Sequence, residues 1–138
     1  MIASAGSSIR VAALSAVLLS LLLLASCSKP ATPVIEQIGP VTTADTTFGA
    51  SPNPIVVTDG SGLGLTTLTW STTKSKLLEI RVNSPAGALL GSVSASGSTD
   101  TGKWVTNGMK FYLQDATSDK KTDPSATLAV ITVKVIKQ

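Results

Sequence analysis

The segment LLEIRVNS, residues 77–84, alternates with a period of two: Leu78, Ile80 and Val82 fall on one side of an extended chain, and Glu79, Arg81 and Asn83 on the other. A helix would need apolar residues three and four apart, so this spacing predicts a strand with one face in a core and one toward water. Ser84-Pro85-Ala86-Gly87 follows, with proline at the second position, where its fixed φ suits a β-turn.

The same pattern continues on both sides. Upstream, LTTLTWS at 65–71 puts Leu68 and Trp70 on one face and Thr67, Thr69 and Ser71 on the other. Threonine and tryptophan favour the pleated surface of a strand. Further back, IVVTD at 55–59 is joined to it by the glycine-rich DGSGLG at 59–64. Downstream, ALLGSV at 88–93 reads as a short strand and SASGSTDTG at 94–102 as a loop. KWVTNGMKFYLQD at 103–115 holds a short strand at Trp104-Val105, a turn at Asn107-Gly108, and a longer strand with Met109, Phe111 and Leu113 inward. The last strand is TLAVITVKVIK at 127–137, with Ile131, Val133 and Val135 inward and Thr132 and Lys134 outward. The predicted core is therefore Leu68, Trp70, Ile80, Val82, Phe111, Leu113, Ile131 and Val133. Short strands, polar turns and no helical period after residue 26 predict an all-β fold over 48–138, an antiparallel β-sandwich of about seven strands.

The beginning of the chain is different. Arg10 precedes an apolar run from Val11 to Leu24 broken only by Ser15 and Ser20. A membrane-spanning helix needs about 20 apolar residues, so this shorter run reads as a cleaved secretory signal over residues 1–26. The junction Leu24-Ala25-Ser26-Cys27 resembles the lipobox of bacterial lipoproteins. The resemblance implies cleavage between Ser26 and Cys27, a diacylglyceryl group on the Cys27 sulfur and an acylated new amine. Several acyl chains hold a protein stably at a membrane where one holds it marginally. Ser28, in the second mature position, is not the aspartate that retains such proteins at the inner membrane of enteric-type bacteria, so the resemblance favours the outer membrane. An ordinary signal ahead of a free cysteine is the alternative. Residues 27–47, rich in proline and threonine, read as the lipidated cysteine and a disordered tether. Extended at about 3.1 Å per residue, such a tether reaches roughly 60 Å.

The ASPNPI opening, the TLTW strand, LEIRVNSPAG, GMKFYLQD and the closing TLAVITVKV resemble bacterial immunoglobulin-like and fibronectin type III-like modules over residues 48–138. That resemblance implies a tryptophan packed between two sheets, which is Trp70 here. Phe111 and Leu113 stand where the family carries Tyr-x-Cys, so neither the inter-sheet disulfide nor the hydroxyl of a tyrosine corner is present. Modules of this kind bind proteins or glycans, assist adhesion or serve as accessory subunits.

Composition narrows the chemistry. There is no histidine and one cysteine, which removes Ser-His-Asp and Cys-His catalysis, His/Cys zinc sites and any disulfide framework. Loss of Arg10 with the leader leaves ten basic against eight acidic residues. The basic residues are scattered, with Lys120-Lys121 the one pair, and this excludes a nucleic-acid partner. The glycines at 60, 62 and 64 lack the Lys-Ser/Thr and following helix of a phosphate cradle. Asp115, Asp119 and Asp123 recur every four residues, not every second as in a calcium loop, and Lys120 and Lys121 intrude. Glu79 and Asp115 are the carboxylates closest to a hydrolase pair, without a sequence-visible pocket. The expectation is a non-enzyme with no catalytic, metal or cofactor site beyond the lipid on Cys27. Its partners are a membrane, through the lipid, and an envelope protein or glycan. Trp104 and Tyr112 are the candidate binding surface, and as stacked rings they define the alternative of a carbohydrate-binding module.

Overall fold

The computed structural model describes residues 39–138; the predicted signal and Cys27 lie outside them. The fold is all-β and sandwich-like, with ten strands: β1 (Val41–Thr42), β2 (Thr46–Ser51), β3 (Ile55–Val57), β4 (Thr67–Thr72), β5 (Leu77–Val82), β6 (Ala88–Ser94), β7 (Ser96–Asp100), β8 (Met109–Asp115), β9 (Thr127–Val133) and β10 (Val135–Lys137). Among the described residues a single 3₁₀ turn spans Pro124–Ala126. One antiparallel sheet runs β1-β2-β4-β7, a second runs β6-β5-β8-β9, and β3 pairs with β10.

The alternation read at residues 77–84 is realised in β5: Leu78 and Ile80 are fully buried and face Asp115 and Leu113 across the ladder to β8. The two sheets close on one apolar core, to which Phe48, Leu68 and Trp70 come from the first and Ile80, Phe111, Leu113, Ile131 and Val133 from the second. Val82 is the exception among the predicted core residues, being half-buried at the end of β5 and packed against the core's margin. Trp70 is anchored by its indole Nε1, which donates to the Ser94 carbonyl at 2.9 Å.

The structure departs from the sequence reading in four places. The first sheet begins at Val41, so residues 41–47 belong to the fold and not to a disordered tether. Val41 is buried, and the buried Thr46 and Thr72 hydroxyls share a 2.8 Å hydrogen bond that ties the start of β2 to β4. Second, residues 96–100, read as loop, form β7, whose pairing with β4 supplies the backbone partners that its Ser-Gly-rich side chains do not advertise. Third, the Trp104-Val105 strand reduces to one bridge, Gly64 to Val105. Last, the closing strand breaks at Lys134. Asn53 Oδ1 accepts from Lys134 N at 2.9 Å and Asn107 Oδ1 from Val135 N at 3.1 Å, turning the chain into β10. There it runs parallel to β3, so the strands are not all antiparallel.

Candidate functional site

The β7–β8 connection carries Trp104. Its ring centroid lies 6.1 Å from that of Phe111, with planes at 54°, while 37 % of the residue remains exposed. Gly102 makes room: at φ +82 it adopts the left-handed backbone, and a Cβ there would stand 2.9 Å from Trp104 Nε1. The neighbouring Val105 is fully buried and exchanges both backbone hydrogen bonds with Gly64, at 2.8 and 3.0 Å. The antiparallel register of that bridge sets Leu65 across from Trp104.

Residues 59–65 are laid on the β3/β10 pair. A Cβ on Gly64 would fall 2.6 Å from Ile55 Cγ2, and one on Gly62 would meet the Lys137 side chain. This close backbone approach turns the apolar side chains on either side of Gly64 outward. Leu63, Leu65 and Trp104 are all more than one third exposed, as are Val56 and Ile136, which sit opposite each other in the β3/β10 register. The segment is braced at its start by Asp59, whose carboxylate accepts from the Lys103 ammonium and from the Ser61 amide and hydroxyl. Those interactions, Lys103 first, hold its pKa far below the usual carboxylate range.

Tyr112 is elsewhere. Its neighbours Phe111 and Leu113 are fully buried, so alternation along β8 puts Tyr112 on the outer face of the second sheet, between Arg81 and Val130 in the register. Trp104 packs on a ring of the inner face. The two aromatics do not form one platform.

That outer face holds a charged cluster instead. Glu79 is 3 % exposed. It accepts from Arg81 Nη2 at 2.5 Å and Nε at 3.0 Å, and from Lys121 Nζ at 2.8 Å. Lys121 belongs to the β8–β9 connection, which the buried Gln114 also holds down by donating Nε2 to the carbonyls of Lys121 (3.2 Å) and Asp123 (3.1 Å). Glu79 is pulled below its ordinary pKa, chiefly by the Lys121 hydrogen bond, against the opposing effect of burial and with further help from Arg81. Asp115 is also lowered: burial raises it, but hydrogen bonds from Thr117 and Ser75 outweigh that. A glycosidase acid needs a raised pKa and a second carboxyl facing it. Here Asp115 stands opposite Leu78, on the other face from Glu79.

Leu63 and Leu65 went unrecognised in the sequence as surface candidates. Their signal was apolar residues alternating with glycine inside a segment otherwise written as a turn. Compared with protein-family models, curated proteins and solved structures, the chain has no match.

Proposed function

We propose that the chain is a lipid-anchored, non-enzymatic immunoglobulin-like module of a bacterial envelope that works by contact with another protein. The lipobox-like Leu24-Ala25-Ser26-Cys27 supports the anchor at Cys27, and Ser28 favours the outer membrane. The order β2-β4-β7 against β6-β5-β8-β9 supports the immunoglobulin-like reading. It corresponds to A-B-E facing C′-C-F-G, with Trp70 under the crossover of β6 into β7.

The observation that carries the contact role is the exposed apolar group Leu63, Leu65 and Trp104, carried on the segment pinned by the Gly64–Val105 bridge. Scattered exposed leucines are ordinary, but apolar residues gathered on a pinned backbone around a tryptophan are what a protein interface uses. Sugar stacking would call for flat rings on one face, and Tyr112 is on another.

The experiment is intact-mass analysis and detergent partitioning of the chain purified from native membranes, with photocrosslinking through a reactive residue placed at exposed position 65. The expected chain starts at acylated Cys27, and Cys27→Ala leaves an unlipidated precursor that keeps its leader. Trp104→Glu is expected to lower the yield of protein adducts at least several-fold with the circular dichroism unchanged. A free Cys27 thiol would refute the anchor, and an unaltered adduct yield would refute the contact surface.

A further inference from the structure

The edge strand β7 is open on the side away from β4 and lacks the devices that usually close an edge. Thr101 N donates to Thr66 O at 3.0 Å and Thr72 N to Ala95 O at 2.8 Å, so residues 95, 97, 99 and 101 turn their backbone groups toward β4. By the alternation of an antiparallel ladder, Ser96, Ser98 and Asp100 turn their amides and carbonyls outward. Among the described residues no strand takes that side, since β7 ends its sheet.

Open edges are normally blunted by shortness, proline, lysine or a bulge. Here β1 has two residues and follows Pro40, and β6 carries an irregular step opposite Ile80/Arg81. The β9 edge lies against β2. None of these applies to β7, which is regularly paired and reads Ser-Gly-Ser-Thr-Asp. Its small side chains let another strand come to about 4.8 Å. Its one charge, Asp100, already accepts from the Thr67 hydroxyl at 2.6 Å.

We infer that β7 pairs antiparallel with β7 of a second copy of this chain, about a two-fold axis at Ser98. The edge is self-complementary in charge as well as in hydrogen bonding. About that axis Ser96 meets Asp100 of the second copy and Ser98 meets its own equivalent, so no like charges face each other. Three such pairs exchange roughly six backbone hydrogen bonds, and the two-fold closes the assembly at a dimer. The pairing deepens the contact role proposed above by naming a second partner surface, the open edge of β7.

Oxidative crosslinking of the full chain in membranes tests it. Residues directly opposite in a hydrogen-bonded pair have Cα atoms about 5.5 Å apart, within disulfide range. Ser98→Cys is therefore expected to give a species of twice the mass. The unaltered chain, with Cys27 alone, and Ser61→Cys, at an exposed site in another loop, are expected not to. Ser98→Lys places like charges on the axis and is expected to abolish the dimer of the purified chain without changing its circular dichroism. A Ser98→Cys chain that stays monomeric, crosslinks no better than Ser61→Cys, or joins a different protein overturns the pairing, whatever Ser98→Lys does to folding. The anchor is read separately: acylated Cys27 without a dimer sinks only the pairing, and a dimer with a free Cys27 thiol sinks only the anchor.

Discussion

Trp70 does two jobs with one side chain. Its ring fills the core under Gly97, where a Cβ would stand 2.9 Å from Cζ2, and its Nε1 satisfies the Ser94 carbonyl just before the chain crosses between sheets. Trp70→Phe keeps an aromatic ring but loses that donor and part of the volume. It is expected to cost about 1–3 kcal/mol, from an unsatisfied carbonyl and a partial cavity. Urea unfolding checks this, as a lower midpoint at unchanged slope. The face on which position 70 lies was legible from period two alone; its hydrogen bond was not, because the acceptor lies 24 residues away.

The β8–β9 connection, at the scale of an element, is fastened to the second sheet through Glu79 and Gln114. The folded pKa of Glu79 lies below its ordinary carboxylate value of about 4.5. The unfolded state thus binds the proton more readily, and stability rises with pH through that region. The contribution is fully present above about pH 5 and is lost as pH falls through the folded pKa. Glu79→Gln is expected to flatten the acid limb of a stability-against-pH profile and to cost roughly 1–2 kcal/mol at pH 7. That is less than for a pair shut off from water on both sides, because Lys121 is 44 % exposed. An acid limb as steep as that of the parent chain would remove Glu79 as the responsible group. Glu79 and Arg81 were visible as an outward pair two residues apart, whereas Lys121 comes from a connection 42 residues away and left no local trace.

The whole molecule shows why the boundary at residue 48 was misplaced. Val41 and Thr46 are the buried side chains of residues 41–47, too sparse to make a period, and the segment is otherwise held by backbone pairing of β1 with β2 and of β2 with β4. A chain starting at Phe48 is therefore expected to be about 2–4 kcal/mol less stable than one starting at Gly39, from lost apolar burial and the lost Thr46–Thr72 bond. Paired thermal and urea melts of the two chains check it, and equal midpoints would return residues 41–47 to the tether. What the residues determined by themselves is the all-β class and seven of the eight core positions named. Alternation is a local property, since each residue's preference for apolar or aqueous surroundings is written at its own position. Tertiary structure alone decided that polar Ser96–Asp100 is a strand, that β10 pairs parallel with β3, and that Trp104 packs on Phe111 while Tyr112 lies on the other face of the sheet. These depend on which backbone groups find partners tens of residues off, and a backbone amide looks the same at every position in a sequence.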